Sequence, residues 1–257
     1  MNTHWLKRIF LSKAYAFENK KIDYSKWDKL FVPIKDGKIQ CLIRKQVAKT
    51  GKLVILVHPY HTQGKEYFLE TNHPKLYYDL GFNVVVFDQN GFGQSDDFGF
   101  DFHQDLLKVA YYFKNVLKAN QIVAHGISFG AATLLTSLQH RHPFEKAIIE
   151  NCMDEVSNYF KVRSPLLYRL LLLSEKISKR IQHRNQYYRI AKGVQNIDRV
   201  ILIYSKDDEL TTPAMGLKLQ SNFSIPCDYY LLKGGHMASI DADPQAYSTL
   251  ISSYISN

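Results

Sequence analysis

Short apolar runs alternate along the chain with segments in which apolar residues recur every three or four positions. A nearly continuous apolar run of four to six residues is typical of a strand buried on both faces of a parallel sheet. The pattern therefore predicts strands over 52–57, 83–87, 121–124, 146–149, 199–204 and 227–232.

Helices are predicted between these strands. Apolar residues recur at i, i+3 and i+4 over 101–118, a second helical pattern covers 133–140, and an Asp-Pro pair opens a last helix at 244. Strands that alternate with helices indicate an α/β fold, a mostly parallel central sheet with helices on both faces. In such sheets the functional residues collect at the carboxyl ends of the strands.

Residues 153–195 depart from this alternation, because they contain no strand pattern. Ser164 and Pro165 are typical of a helix start, and the leucine-rich run that follows is apolar over most of its circumference. Basic residues greatly outnumber acidic ones in the same region. We expect 153–195 to be a helical cap inserted over the strand ends of a single domain that spans 1–257.

The first 30 residues are predicted to be a helical extension of this domain. Lysine and arginine interrupt the apolar positions, so the segment lacks the apolar core of a signal peptide. On a helix the apolar side chains would share one face with basic residues beside it. Two interpretations stay open, packing on the rest of the protein and peripheral contact with an anionic membrane. The apolar positions are Trp5, Leu6, Ile9, Phe10 and Phe17.

Charge and cysteine content narrow the class of protein. The formal net charge of +9 is compatible with an anionic partner or with a basic solvated surface. The three cysteines are widely spaced and form no C-x-x-C motif, which argues against a disulfide framework or a zinc cage. This usage favours a reducing compartment, so a cytoplasmic location is expected. No recognised nucleic-acid motif accompanies the basic residues, and no nucleic-acid partner is predicted.

The segment Gly126-Ile127-Ser128-Phe129-Gly130 matches the pattern G-x-S-x-G. This pattern indicates a nucleophile when a strand precedes it and a helix follows, as predicted here. The tight turn would expose Ser128 Oγ above the sheet. It would also place the Phe129 N–H at a helix N-terminus, where it can stabilise an oxyanion.

A serine nucleophile needs a base and an acid that orients the base. The strand predicted over 227–232 leads into Gly234-Gly235-His236, and His236 is the candidate base. The preceding strand leads into Asp207-Asp208-Glu209, which supplies three candidate acids. Acid and histidine thus follow Ser128 in the chain order that this motif requires.

Four ordered motifs together resemble the α/β-hydrolase superfamily, in particular its capped serine esterases and lipases of the monoacylglycerol lipase or serine aminopeptidase type. The resemblance covers roughly 30–257 and implies that the later aspartate, Asp208, is the acid. Where the family commonly has His-Gly, this chain has His58-Pro59. Proline lacks an N–H, so Tyr60 would supply the second oxyanion donor. The four motifs are the strand entering His58, the loop 88–95, the loop 205–213 and the Gly-Gly-His at 236.

These features predict a serine hydrolase that cleaves a small-molecule carboxylic ester or thioester with a hydrophobic acyl group. The triad is Ser128, Asp208 and His236, and no cofactor is implied. His58 and His61 form an H-x-x-H pattern, but no second ligand cluster accompanies it, so no metal site is expected. The alternatives are an acyltransferase, a small-peptide peptidase and a non-catalytic ligand-binding protein of the same fold.

Overall fold

Eight strands form one sheet within residues 22–35, 37–60, 63–96 and 99–256, the part of the chain that the computed structural model describes. The strands are β1 Asp28–Ile34, β2 Gly37–Arg44, β3 Lys52–Val57, β4 Asn83–Phe87, β5 Gln121–Ile127, β6 Lys146–Glu150, β7 Val200–Ser205 and β8 Cys227–Leu232. Their spatial order is β1-β2-β4-β3-β5-β6-β7-β8. β2 is antiparallel to both β1 and β4, and the pairs from β4 to β8 are parallel. The predicted α/β architecture with a mostly parallel sheet is confirmed.

Helices cover the sheet and fill the region between β6 and β7. They are α1 Glu66–Leu69, α2 His73–Asp79, α3 Phe102–Leu117, α4 Phe129–Ser137, α5 Val156–Arg163, α6 Pro165–Ile177, α7 Lys179–Asn185, α8 Tyr187–Ala191, α9 Pro213–Gln220, α10 Ser239–Ala242 and α11 Pro244–Ser256. The helices predicted over 101–118, after the serine turn and from 244 are present. The sequence pattern had not identified α1, α2 or α9.

Two hydrophobic layers lie on the two faces of the sheet. In β3, Leu53, Ile55 and Val57 belong to the layer that packs against α3 and α4. The alternate residues Val54 and Leu56 belong to the layer under α11. Both sets are fully buried. Burial of each such side chain contributes about 1.5–3 kcal/mol to the free energy that stabilises the fold. The central strands are continuously apolar because both of their faces need apolar side chains.

The boundary of the predicted N-terminal extension needs correction. Residues 1–21, with Trp5 and the other apolar positions of the proposed helix, lie outside the described residues. Residues 28–30, which the prediction placed in the same helical extension, instead begin β1. In β1, Phe31 is exposed and Val32 is buried. This alternation suits an edge strand with one solvated face, and β1 pairs with β2 over its whole length.

The region 153–195 folds into the four helices α5 to α8, which leave the sheet after β6 and return at β7. The Ser164 hydroxyl caps α6 by accepting a hydrogen bond from the Leu167 N–H, as the Ser-Pro signal predicted. Ser178 caps α7 in the same way through the Ile181 N–H. We call α5 to α8 the cap. Among the described residues, no helix has the length and apolarity that a membrane crossing requires.

Candidate active site

Ser128 lies in a sharp turn between β5 and α4. Its backbone has φ 54° and ψ −113°, a conformation that non-glycine residues rarely adopt. The flanking glycines make this turn sterically feasible. A Cβ on Gly126 would overlap the carbonyl oxygen of Gly130, and a Cβ on Gly130 would overlap the carbonyl oxygen of Val57. The Ser128 N–H donates to the Glu150 carbonyl at 2.8 Å, which ties the turn to the end of β6.

Three residues from distant parts of the chain meet at this turn. His236 Nε2 lies 3.0 Å from Ser128 Oγ. His236 Nδ1 lies 2.7 Å from Asp208 Oδ2. Because a carboxylate only accepts hydrogen bonds, the Nδ1–H of His236 donates to Asp208 and Nε2 accepts from the Ser128 hydroxyl. The structure thus brings the predicted nucleophile, base and acid into one hydrogen-bonded line.

The three candidate acids differ in their exposure to solvent. Asp208 is 3% exposed, whereas Asp207 and Glu209 point to solvent. Asp208 Oδ1 accepts from the N–H groups of Leu210 and Thr211 at 2.8 and 2.9 Å. Its Oδ2 also accepts from the Thr211 hydroxyl at 2.6 Å.

The Asp208 carboxyl has a lowered pKa. Burial raises this pKa, but the hydrogen bond and charge of His236, together with the hydrogen bonds from Thr211, outweigh burial. Asp208 is therefore a carboxylate at neutral pH. That state holds His236 in the tautomer in which Nε2 is free to accept the serine proton.

Asn151 is a residue of this site that the sequence analysis missed. Its side-chain amide donates to Asp208 Oδ2 at 2.8 Å and accepts from the Ser205 hydroxyl at 3.2 Å. Its backbone has φ 48°, which asparagine tolerates better than most residues. The sequence does contain one indication of its role, since Asn151 is a polar residue just after the strand predicted over 146–149. Nothing in the sequence indicated that its partner would be Asp208.

The loop after β3 carries the proposed second oxyanion donor. Gln89 N donates to His58 Nε2 at 3.0 Å, so the Nδ1–H of His58 donates to the Pro59 carbonyl at 2.7 Å. The Gln89 side chain also joins the His58 carbonyl to the Thr133 hydroxyl of α4. These bonds fix the loop that leads into Tyr60 against the helix that starts after Ser128. His61 lies outside the described residues.

Aromatic rings cluster around Phe129, the residue that follows Ser128. The Phe129 ring lies 6.4 Å from Tyr60, 6.0 Å from Phe92 and 5.0 Å from Phe102, measured between ring centroids. Burial raises the pKa of the Tyr159 hydroxyl in α5, and the neighbouring Tyr60 adds to this shift. The residue that follows Ser128 thus belongs to an aromatic cluster.

Other polar residues lie near the turn between β5 and α4 that holds Ser128, which we call the elbow, and they make structural contacts. Burial lowers the pKa of His125, and the neutral ring bridges the Tyr77 hydroxyl and the Glu150 carboxylate at 2.9 and 3.0 Å. Cys152 is fully buried, and burial raises the pKa of its thiol. The described residues contain no group of three His, Cys, Asp or Glu side chains arranged to hold a metal ion.

The loop after β4 is held by a buried ion pair. Asp88 Oδ2 lies 2.8 Å from Lys65 Nζ, and both side chains are almost completely buried. Asp88 also accepts hydrogen bonds from the backbone N–H groups of Lys65 and Gln94 at 2.9 and 3.0 Å. Asp88, the first residue of the loop 88–95, therefore has a structural role in shaping this loop.

A mostly parallel sheet with a strand–serine–helix turn at its centre, an acid after β7 and a histidine after β8 is the α/β-hydrolase fold. Among solved structures, an esterase of Pyrococcus furiosus, Pf2001, is similar to this chain. The two share 13% identity with a TM-score of 0.75 over 93% of this chain and 95% of the esterase. Acetyl xylan esterase 1 from a Thermoanaerobacterium species shares 13% identity with a TM-score of 0.68 over 94% of this chain and 85% of its own.

A thioesterase domain from the curacin biosynthetic pathway is a third similar structure. It shares 15% identity with a TM-score of 0.58 over 90% of this chain and 99% of the domain. No family model matches the chain, and no curated protein matches it by sequence. These likenesses show the fold.

Proposed function

We propose that the chain is a serine hydrolase that cleaves carboxylic esters or thioesters. The observation that carries the proposal is the unbroken hydrogen-bonded line from Asp208 through His236 to Ser128. The names of the similar structures, two esterases and a thioesterase, support the same class of substrate.

In the proposed reaction Ser128 Oγ attacks the carbonyl carbon while His236 Nε2 removes its proton. The negative charge that develops on the carbonyl oxygen is stabilised by the N–H groups of Phe129 and Tyr60. The bond to the leaving alcohol or thiol then breaks as His236 returns the proton to it, which leaves an acyl group on Ser128. Water attacks this acyl group with His236 again as the base, and the free serine is restored.

Asp208 has a different role, because it does not contact the reacting atoms. Its carboxylate keeps His236 correctly oriented and stabilises the imidazolium that forms after each proton transfer. The hydrogen bonds from Thr211 and Asn151 fix the carboxylate in turn. The site thus contains a nucleophile, a base, an orienting acid and two candidate oxyanion donors.

The test of this proposal is covalent labelling by a fluorophosphonate, which reacts with activated serines. We expect stoichiometric labelling of the unchanged chain and none of the Ser128→Ala variant. Ser221→Ala, which removes an exposed serine on another part of the surface, is the matched control and should label fully. An unlabelled wild-type chain, or equal labelling of Ser128→Ala, would remove the basis for the catalytic function.

The aromatic cluster around Phe129, the residue after Ser128, leads us to propose a hydrophobic acyl group as the preferred substrate. The rings of Phe129 and Tyr60 are partly exposed and lie 6.4 Å apart between centroids, so they offer an apolar surface and no charge. For p-nitrophenyl esters of increasing chain length, we expect kcat/KM to rise from acetate to octanoate by about tenfold or more, because each buried methylene contributes about 0.8 kcal/mol. A preference for acetate in the same series would contradict this choice of substrate while leaving the serine mechanism intact.

A further inference from the structure

The outer surface of the cap carries an apolar stripe. Leu166, Leu170, Leu173 and Ile177 of α6 are spaced four, three and four residues apart, so they lie on one face of the helix. Leu166 is 68% exposed and Ile177 is 78% exposed. The opposite face of α6 carries the buried Leu171. The helix therefore contacts the protein on one side and presents leucine and isoleucine to its surroundings on the other.

Basic residues flank this stripe, and acidic residues are nearly absent from it. Residues 156–192 contain nine lysines and arginines but a single acidic residue, Glu175, which gives a formal charge of +8 out of +9 for the whole chain. Glu175 is half-buried and accepts a hydrogen bond from Asn185 within the cap. Arg169 and Lys176 are both exposed and border the stripe on one side. Most of the excess positive charge of the chain thus lies in the segment that carries the stripe.

We infer that this stripe is a docking surface for an anionic lipid bilayer. A helix that combines an exposed apolar face with flanking cations has the chemistry of a segment that lies at a membrane interface, where apolar side chains enter the acyl boundary and cations meet anionic headgroups. The charge argues for a lipid surface over a second copy of this chain, because two copies of residues 156–192, each with a formal charge of +8, would repel each other.

Docking through α6 would also place the candidate active site close to the lipid. The cap helices follow β6, whose last residue, Glu150, accepts a hydrogen bond from the Ser128 N–H at 2.8 Å. A hydrophobic acyl substrate could then pass from the bilayer to Ser128 without crossing much water. This consequence depends on the proposed hydrolase function, whereas the docking itself does not.

The test is cosedimentation of the full chain with vesicles of phosphatidylcholine that contain about one-third phosphatidylserine, at about 0.15 M salt. We expect the full chain to sediment with the vesicles that contain phosphatidylserine, and to bind more weakly to vesicles of pure phosphatidylcholine. Leu166→Gln combined with Ile177→Gln should weaken binding at least about tenfold. Arg169→Gln combined with Lys176→Gln should weaken it by roughly tenfold to thirtyfold, and only on anionic vesicles.

Matched controls remove the same chemistry elsewhere on the surface. Val47 and Val116 are exposed apolar residues outside the cap, and Lys49 and Lys114 are exposed cations outside it. Their paired glutamine variants should bind as the wild type does. A Ser128→Ala chain should also bind normally, which separates docking from catalysis.

Three outcomes would overturn the inference: no binding of the wild type to anionic vesicles, equal binding by the stripe variants, or concentration-dependent self-association that the stripe variant abolishes while vesicles have no effect. The second outcome would place membrane contact elsewhere in the chain. The third would assign the stripe to a contact between two copies.

Discussion

Hydrolysis by an Asp208→Asn variant is expected to be about 10⁴-fold slower than by the unchanged chain. The asparagine amide can donate a hydrogen bond to His236 Nδ1. That bond favours the tautomer with the proton on Nε2, and this tautomer cannot accept the proton of Ser128. The structure predicts this loss because Asp208 Oδ2 lies 2.7 Å from Nδ1. The measurement is kcat with a p-nitrophenyl ester, together with thermal unfolding to show that the variant is folded.

The adjacent aspartate is the matched control for this variant. The Asp207 side chain is exposed. The backbone N–H of Asp207 donates a hydrogen bond to the Gly234 carbonyl at 3.0 Å, and this bond does not depend on the side chain. Asp207→Asn is therefore expected to keep nearly full activity. If Asp207→Asn loses activity and Asp208→Asn keeps it, the acid has been assigned to the wrong residue.

Replacement of Gly130 by alanine is expected to lower the free energy of unfolding by about 3 kcal/mol. The added Cβ would overlap the Val57 carbonyl oxygen, which belongs to the backbone of a central strand. Backbone atoms paired on both sides in a sheet have little room to move, so the overlap must displace the elbow or the strand. The melting temperature should fall by roughly 10 °C.

Gly235→Ala provides the control for this stability measurement. Gly235 lies in the histidine loop, and a Cβ there would meet its nearest neighbour, the Asp207 carbonyl oxygen, at an ordinary distance of 3.9 Å. We expect its unfolding temperature to stay close to that of the wild type. Equal stability of Gly130→Ala and the wild type would show that the elbow is not packed against β3 as described.

The central fold was predictable because its strands are buried on both faces. Residues 53–57 and 200–203 are uniformly apolar, which is the pattern of a strand buried on both faces. The pattern did not identify β1, because its apolar stretch Leu30-Phe31-Val32 is short and is followed by Pro33, a residue that argues against a strand. An edge strand of this kind depends on its pairing with β2 for its conformation, and pairing leaves a weak local signal.

The candidate site was predictable at the residues that perform the proposed chemistry but not at those that position them. The glycine pair around Ser128 and the loop before His236 carry local patterns. Asn151 and Gln89 act through contacts with residues that are distant in the chain, Asp208 at a separation of 57 residues and His58 at 31. A single sequence contains no trace of which distant partner a polar side chain will meet.

The end of β6 has a consequence for how this protein can change. The Glu150 carbonyl accepts a hydrogen bond from the Ser128 N–H, and the Asn151 amide donates one to the Asp208 carboxylate. Two consecutive residues therefore position both the nucleophile and the acid of the proposed triad. The cap begins just beyond them, and the chain rejoins the sheet at β7, whose register with β6 is fixed by pairs such as Ile148 and Ile201. The contacts that set the spacing of the proposed triad therefore lie outside the cap. Ile190, Ala191 and Val194 still pack into the core beside the sheet, so we expect the exposed residues of α6 and α7 to tolerate exchange while the reacting atoms keep their spacing.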